Sequence, residues 1–215
     1  MDDNAGSLIC SRCGPEWEQQ PSREINLVTP SNRLVVGFSG SSAPQIGVAL
    51  LEALREVGTV ESHLIISAGA RKTIELELGL EPADVEKLAD VVYEPSDLAA
   101  GPSSGSFLTM GMVVAPCSMK TLAAVASGMS ESLLTRAADV CLKERRRLVL
   151  VPRETPLSLI HLRNMETVTL AGATVLPPVP AFYHRPSSIK DLLRHTAGKI
   201  LDQFGIEHDL FQRWS

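Results

Sequence analysis

Aromatic residues make up only 4% of this 215-residue chain, and that scarcity is the first exclusion. Single-stranded nucleic acid is held on aromatic side chains against which bases stack. Two tryptophans, two tyrosines and five phenylalanines leave little to build such a platform. Positive charge is also short. Twenty Lys and Arg against 25 Asp and Glu leave a formal net charge of −5, the wrong sign for tracking a phosphate backbone. No nucleic-acid partner is expected. The four cysteines, Cys10, Cys13, Cys117 and Cys141, are too few and too scattered for a disulfide framework, which suits a reducing cytoplasm. No apolar run approaches the roughly 20 residues of a membrane span. The opening Met1-Asp2-Asp3-Asn4 has neither the basic nor the apolar part of a secretory signal. A cytoplasmic protein without a membrane partner is therefore expected. Several chemistries lack their parts too: there is no HExxH, no Walker GxxxxGK[ST], no GxSxG and no EF-hand loop.

What the chain does have is a strand, a tight small-residue turn and a helix start, in that order. Leu34 to Phe38 is an apolar run that reads as a buried strand, and Ser39 to Ala43 is a loop of small residues. A helical pattern follows, apolar at Ile46, Val48, Leu50, Leu51 and Leu54. Small side chains let backbone N–H groups approach an anion, and the helix start adds positive partial charge. Pro44 suits a first helical turn, where its missing N–H would have no partner. The same turn also serves as the ordinary first βα turn of a doubly wound domain, and the loop alone does not separate the two readings.

Residues 1–32 are polar, with scattered glycine and proline, and read as an extension of little regular structure. Cys10-Ser11-Arg12-Cys13 could bind zinc or do thiol chemistry, but no second CxxC or nearby histidine accompanies it, so two free thiols are expected. From Arg33 to Ser215 the pattern alternates. Helices are expected at 45–57, 71–78, 82–89, 122–126, 132–145, 157–165 and 189–204, and strands at 60–66, 91–93, 110–115, 148–151 and 174–176. Ala99 to Ser106 is a flexible polar loop, and the four prolines between Pro177 and Pro186 exclude a helix there. A helix is expected before each strand after the first, which implies right-handed crossovers. The fold class is α/β, a single Rossmann-like, flavodoxin-like three-layer domain with a mostly parallel sheet.

In such a sheet the ligand sits beyond the carboxyl ends of the strands. The residues at those ends are Gly40 to Ser42, Ser67, Ser118 to Thr121, and Arg153 with Glu154. Hydroxyls, small residues, two cations and one carboxylate suit an anionic ligand with a planar ring, such as a nucleotide or flavin mononucleotide.

Longer segments narrow this further: Val35-Val36-Gly37-Phe38-Ser39-Gly40-Ser41-Ser42, Ser104-Gly105-Ser106-Phe107, Ala115-Pro116-Cys117-Ser118-Met119-Lys120-Thr121-Leu122, Leu134-Thr135-Arg136-Ala137-Ala138-Asp139-Val140, Leu142-Lys143-Glu144-Arg145, Leu148 through Leu157, Ala181-Phe182-Tyr183-His184-Arg185-Pro186, and Leu210-Phe211-Gln212-Arg213-Trp214. In these motifs and their order, the chain from Arg33 to Ser215 resembles the flavin prenyltransferases of the UbiX/Pad type. The resemblance implies a metal-independent enzyme that binds reduced FMN. Such an enzyme moves a dimethylallyl group from dimethylallyl phosphate to flavin N5 and then C6. It also implies a homo-oligomer, often a dodecamer, with sites between subunits, and a UbiD-type decarboxylase receiving the prenylated FMN. By resemblance, Gly40, Ser41, Ser42, Ser67, Ser118, Met119, Lys120, Thr121 and Arg153 bind FMN. Tyr183 and Lys199, with Lys143 and Arg153, hold the donor phosphate, while Arg136, Lys143, Glu154 and Trp214 line the prenyl site. The family usually has Gly-Ala-Ser-Gly-Ala in the first loop, where this chain has Gly40-Ser41-Ser42-Ala43-Pro44. With a helix starting there, a right-handed backbone is expected at Ala43.

These residue types suit the chemistry implied. Breaking an allylic C–O bond leaves positive charge on carbon and negative charge on phosphate. Lys143, Arg153, Tyr183 and Lys199 could stabilise the phosphate, and the Trp214 face the allylic cation. Closing the new ring releases a proton, and Glu154 is assigned general acid/base work, relayed by Ser42. The blander readings are an Arg153–Glu154 pair, a solvated helix face for Arg136 and Lys143, and a docking anchor for Trp214. Cys117 and His63 are expected to be packing residues, and His184 is ambiguous. Two alternatives share the fold. One is a flavin-dependent cysteine decarboxylase, disfavoured because Gly47 to Thr59 contains no histidine. The other is a non-catalytic FMN-binding subunit, which would not need Glu154, Tyr183, Lys199 and Trp214 together.

Overall fold

The apolar run becomes β1 (Arg33–Phe38), the hub of a six-stranded sheet. The computed structural model describes residues 31–214, so Cys10, Cys13, most of the extension and Ser215 lie outside the described residues. The other strands are β2 (Glu61–Ile66), β3 (Val91–Tyr93), β4 (Gly111–Cys117), β5 (Arg147–Pro152) and β6 (Thr174–Val175), in the order β3-β2-β1-β4-β5-β6 with every pair parallel. The chain enters at β1, steps outward to β2 and β3, then crosses back to β4 and continues outward to β6. The direction of winding reverses between β1 and β4. In open α/β sheets the ligand crevice lies at that reversal.

Side chains alternate across the sheet, as strand geometry requires. Leu34, Val36 and Phe38 pack on one face with α1 (Gln45–Val57), α2 (Ala68–Leu78) and α7 (Ile189–Gln203). Val35, Met112, Val114, Leu148 and Leu150 pack on the other with α4 (Met119–Ser127), α5 (Leu133–Lys143) and α6 (Leu159–Leu170). This is the three-layer arrangement expected. The helix α1 has the bounds read from its pattern: Gly58 takes a left-handed φ of +68° and stops it.

Four elements differ in their bounds for identifiable reasons. Serine caps start α2 and α4 earlier than apolar periodicity suggested, because Ser67 accepts Ala70 N–H and Ser118 accepts Thr121 N–H. The helix α3 (Pro82–Glu86) is shorter than expected, since Leu88 N–H and Ala89 N–H close tight three-residue turns onto Val85 and Glu86. Finally, β4 runs on through Pro116 and Cys117, past the expected end at Ala115, with a register irregularity between Val114 and Cys117.

One expectation fails outright. No α-helix precedes β4; only a one-turn 3-10 helix at Gly101–Ser103 lies between β3 and β4. Glycine, proline and serine in that stretch cannot sustain a helix. Side chains from α5 and just past its end fasten it instead: Arg136 Nε donates to Ser103 O at 3.1 Å and Arg146 to Phe107 O at 2.7 Å.

Candidate active site

Four strand ends meet at the β1/β4 reversal, and Ser39 fastens the first of them. It is buried at 1% exposure. Its N–H and its Oγ both donate to Pro116 O at 3.1 Å, and its Oγ accepts Ser118 N–H at 2.7 Å. The loop after β1 is thereby latched to the loop after β4. Ser41 reaches the third strand end, donating from Oγ to Arg153 O at 2.9 Å. Arg153 N–H in turn donates to Cys117 O at 3.3 Å, and Ser67 N–H to Phe38 O at 3.0 Å. The expected FMN residues Gly40, Ser41, Ser42, Ser67, Ser118, Met119, Lys120, Thr121 and Arg153 thus stand on loops joined by hydrogen bonds.

Backbone proximity explains the small residues. A Cβ on Gly40 would lie 2.9 Å from the Gly69 Cα, so the turns after β1 and β2 touch backbone to backbone. On Gly47 it would lie 2.3 Å from the Phe38 ring and 2.4 Å from Ala115 O, so α1 sits directly on the sheet. At the start of α4, Ser118 Oγ caps Thr121 N–H and also donates to Thr121 Oγ1 at 3.1 Å. The Met119 and Lys120 amides, first in that helix, are left for an anion. A close-packed cradle with amide and hydroxyl donors fits a flavin phosphate.

Ala43 is a correction. Its φ is +71°, left-handed rather than the right-handed form expected. A glycine adopts this φ without a Cβ penalty, and alanine does not. A residue missed from sequence holds it there: Glu77 on α2 accepts Ala43 N–H at 2.9 Å and Ser42 Oγ–H at 3.1 Å. Nothing local distinguishes Glu77 from Glu75 in the same helix; the fold alone makes the contact. Ser39 had a weak signal, a hydroxyl abutting an apolar strand. Because Ser42 gives its proton to Glu77, the expected relay from Ser42 to Glu154 is not formed. Glu154 is exposed, and its Oε1 accepts Thr155 N–H at 3.0 Å. No Arg153–Glu154 ion pair occurs among the described residues.

The remaining expected residues lie elsewhere on the chain. Arg136 pairs with Asp139 at 2.6 Å and touches the 101–107 loop. Lys143 ends α5 beside Glu144, just before β5 begins, so it stands at the amino edge of the sheet, opposite the FMN loops. Lys199 on α7 pairs with Asp202 at 3.3 Å. Tyr183 and Trp214 meet edge to face with centroids 5.7 Å apart. They line a cavity of ≈ 320 Å³ with His184, Arg185, Gln212 and Arg213. A larger cleft of ≈ 710 Å³ opens by Asn32 and Met110, but Glu56, Glu207 and Asp209 line it and would repel a phosphate.

Two expected packing residues are that. Burial pushes the Cys117 thiol up to about 12, which rules out a reactive thiolate. His63 is buried, 2.9 Å from the Tyr93 hydroxyl, and burial lowers its pKa. Among the described residues, no group of three His, Cys, Asp or Glu is placed to hold a metal ion, and no helix is long and apolar enough to cross a membrane.

The family model described as Flavoprotein matches residues 23–200. This chain belongs to the flavoprotein family. Within that family it is 53% identical over 184 residues to the flavin prenyltransferase UbiX of Escherichia coli (strain K12), covering 85% of this chain and 97% of the relative. The crystal structure of AnUbiX (PadA1) in complex with FMN and dimethylallyl pyrophosphate superposes with a TM-score of 0.84 at 52% identity, covering 86% of this chain and 98% of that one. A dodecameric FMN-dependent UbiX-like decarboxylase from Escherichia coli O157:H7 gives 0.83 at 52% identity, covering 85% and 99%. The FMN in that AnUbiX complex is a planar, phosphorylated ligand, the class the strand-end donors suit.

Proposed function

We infer that this chain is a flavin prenyltransferase, moving a dimethylallyl group from dimethylallyl phosphate to N5 and then C6 of reduced FMN, for delivery to a UbiD-type decarboxylase. The observation that carries this reading is the latched grip at the β1/β4 reversal, in a chain 53% identical to UbiX. Reduced FMN supplies the nucleophilic ring atoms. Gly40, Ser41, Ser67 and the start of α4 hold it. Tyr183, Lys199, Lys143 and Arg153 receive the departing phosphate, where charged donors do work a metal ion would otherwise do. Trp214 offers its face to the allylic cation. Glu154, with Oε2 free among the described residues, takes the proton released on ring closure.

One chain does not bring these groups together. Lys143 stands at the sheet edge opposite the FMN loops, while Trp214 is 82% exposed. Leu159, Ile160 and Phe182 are also exposed, at 61%, 69% and 70%. Exposed apolar side chains of this size favour burial against another copy. The site is therefore completed between subunits of a homo-oligomer, and a dodecamer is the state proposed. No observation favours the cysteine decarboxylase reading, since α1 carries no histidine.

The test is the mass of flavin released after the protein meets reduced FMN and dimethylallyl phosphate. A gain of one five-carbon unit supports the assignment. Unmodified flavin, with or without cysteine decarboxylation, refutes it. Glu154→Gln should bind FMN normally and slow turnover; normal turnover would remove the proton-transfer role.

A further inference from the structure

His195 lies on the buried side of α7 and is only 7% exposed. The His184 ring stacks on it at 4.7 Å with planes 6° apart, and Phe211 packs against it at 4.5 Å. Its Nε2 is 3.0 Å from the Tyr183 hydroxyl. Tyr183 itself sits on an exposed, proline-flanked segment with no regular structure. Among the described residues, His195 is the one hydrogen-bond partner of that hydroxyl. The charged groups around the pair are Lys199 and Asp202 on α7 and Arg213 on the C-terminal tail. Asp202 is engaged by Arg213, His208 and Lys199. Burial holds the His195 pKa below its ordinary value, with His184 and Lys199 adding to the effect and Asp202 opposing it, which favours the neutral ring.

We propose that His195 is a positioning residue for the prenyl donor: its Nε2–H donates to the Tyr183 oxygen and so turns the tyrosine proton outward to the donor's phosphate. This rests on the reading of Tyr183 as a phosphate contact. A neutral imidazole has one N–H and one acceptor nitrogen, a tyrosine has one proton, and phosphate oxygens accept. Were Tyr183 to give its proton to Nε2, two oxygens would face each other with no hydrogen between them. With the proton on Nε2, both contacts, Nε2 to the Tyr183 oxygen and the Tyr183 oxygen to phosphate, have a hydrogen between their atoms. Nδ1 makes no protein hydrogen bond among the described residues, so nothing there holds the ring in the other tautomer. The stacked His184 ring and the tilted Phe211 ring fix the plane from which Nε2 points.

The experiment compares five variants of the full-length oligomer, with dimethylallyl phosphate varied at saturating reduced FMN. His195→Phe keeps an aromatic ring against His184 and Phe211 but has no N–H. His195→Met is a second donor-free variant, so the result does not hang on one folded mutant. Either should raise KM for dimethylallyl phosphate about tenfold while leaving FMN affinity unchanged. His195→Gln, whose amide also donates, should restore KM to within about twofold. Tyr183→Phe should match the donor-free variants, and adding His195→Phe to it should change nothing more. Unchanged KM in both donor-free variants, failure of Gln to rescue, or an equal loss of FMN affinity overturns the positioning role. If Tyr183→Phe raises KM and the His195 variants do not, the inference about His195 alone fails. If Tyr183→Phe leaves KM unchanged, the reading of Tyr183 fails and takes the inference with it.

Discussion

At the strand ends, Ser39 is 1% exposed and its side chain is committed to two partners, one at the end of β4 and one just beyond it. At the C-terminus, Trp214 is 82% exposed and rests edge-on against Tyr183. Both regions carry residues assigned to one reaction, yet the first is finished within a single chain and the second is not. The difference follows from where each sits. The loops after β1, β2, β4 and β5 leave adjacent parallel strands, so the sheet register brings them together whatever surrounds the molecule. Tyr183 and Trp214 lie on segments outside the sheet, and in the proposed oligomer a neighbouring copy covers them. On the proposed reading, flavin binding is a property of the chain, and donor binding a property of the assembly.

The strongest way to break this contrast is at Gly47. Gly47→Ala places a methyl 2.3 Å from the Phe38 ring and 2.4 Å from Ala115 O, where backbone cannot give way. We expect a loss of about 3 kcal/mol in a denaturant titration, together with loss of FMN binding. Next is Ser39→Ala, which removes the two side-chain bonds of the latch, keeps the backbone N–H bond to Pro116 O, and leaves the half-buried Ser118 N–H without its acceptor. It should cost about 2 kcal/mol and weaken FMN binding, while KM for the donor, measured at saturating FMN, stays the same. The C-terminal region should respond in the opposite sense. Trp214→Ala should change thermal stability by less than about 0.5 kcal/mol and leave FMN binding intact. Turnover should nonetheless fall roughly tenfold or more as the cation loses an aromatic face. The smallest effect expected is a gain. Ala43→Gly relieves a φ of +71° and should stabilise the fold by about 1 kcal/mol, with FMN affinity equal or better.

The same contrast decides how much was legible in the sequence. The sheet strands and α1 could be read because apolar runs and Pro44 are local signals, and the strand-end positions follow from parallel topology. The segment before β4 was misread because alternation was extended across a stretch whose own glycines, prolines and serines forbid a helix. Ala43 and Glu77 were hidden for a different reason. The left-handed turn is held by a carboxylate 34 residues away in sequence, on a helix whose pattern marks no position as special. Lys143, Lys199 and Trp214 came from a family resemblance. Their separation from the strand ends could not be seen until the fold showed it.

The division of labour has a direct test in mixed oligomers. Gly40→Val, whose side chain collides with Gly69, should disable the flavin grip, and Tyr183→Ala combined with Trp214→Ala the donor grip. Each protein alone should show little turnover. Co-expressed under two tags and purified through both, the mixed assembly should regain activity, because some sites join intact loops from one copy to an intact C-terminal region from another. A mixed oligomer as inactive as its parents would contradict a site shared between subunits.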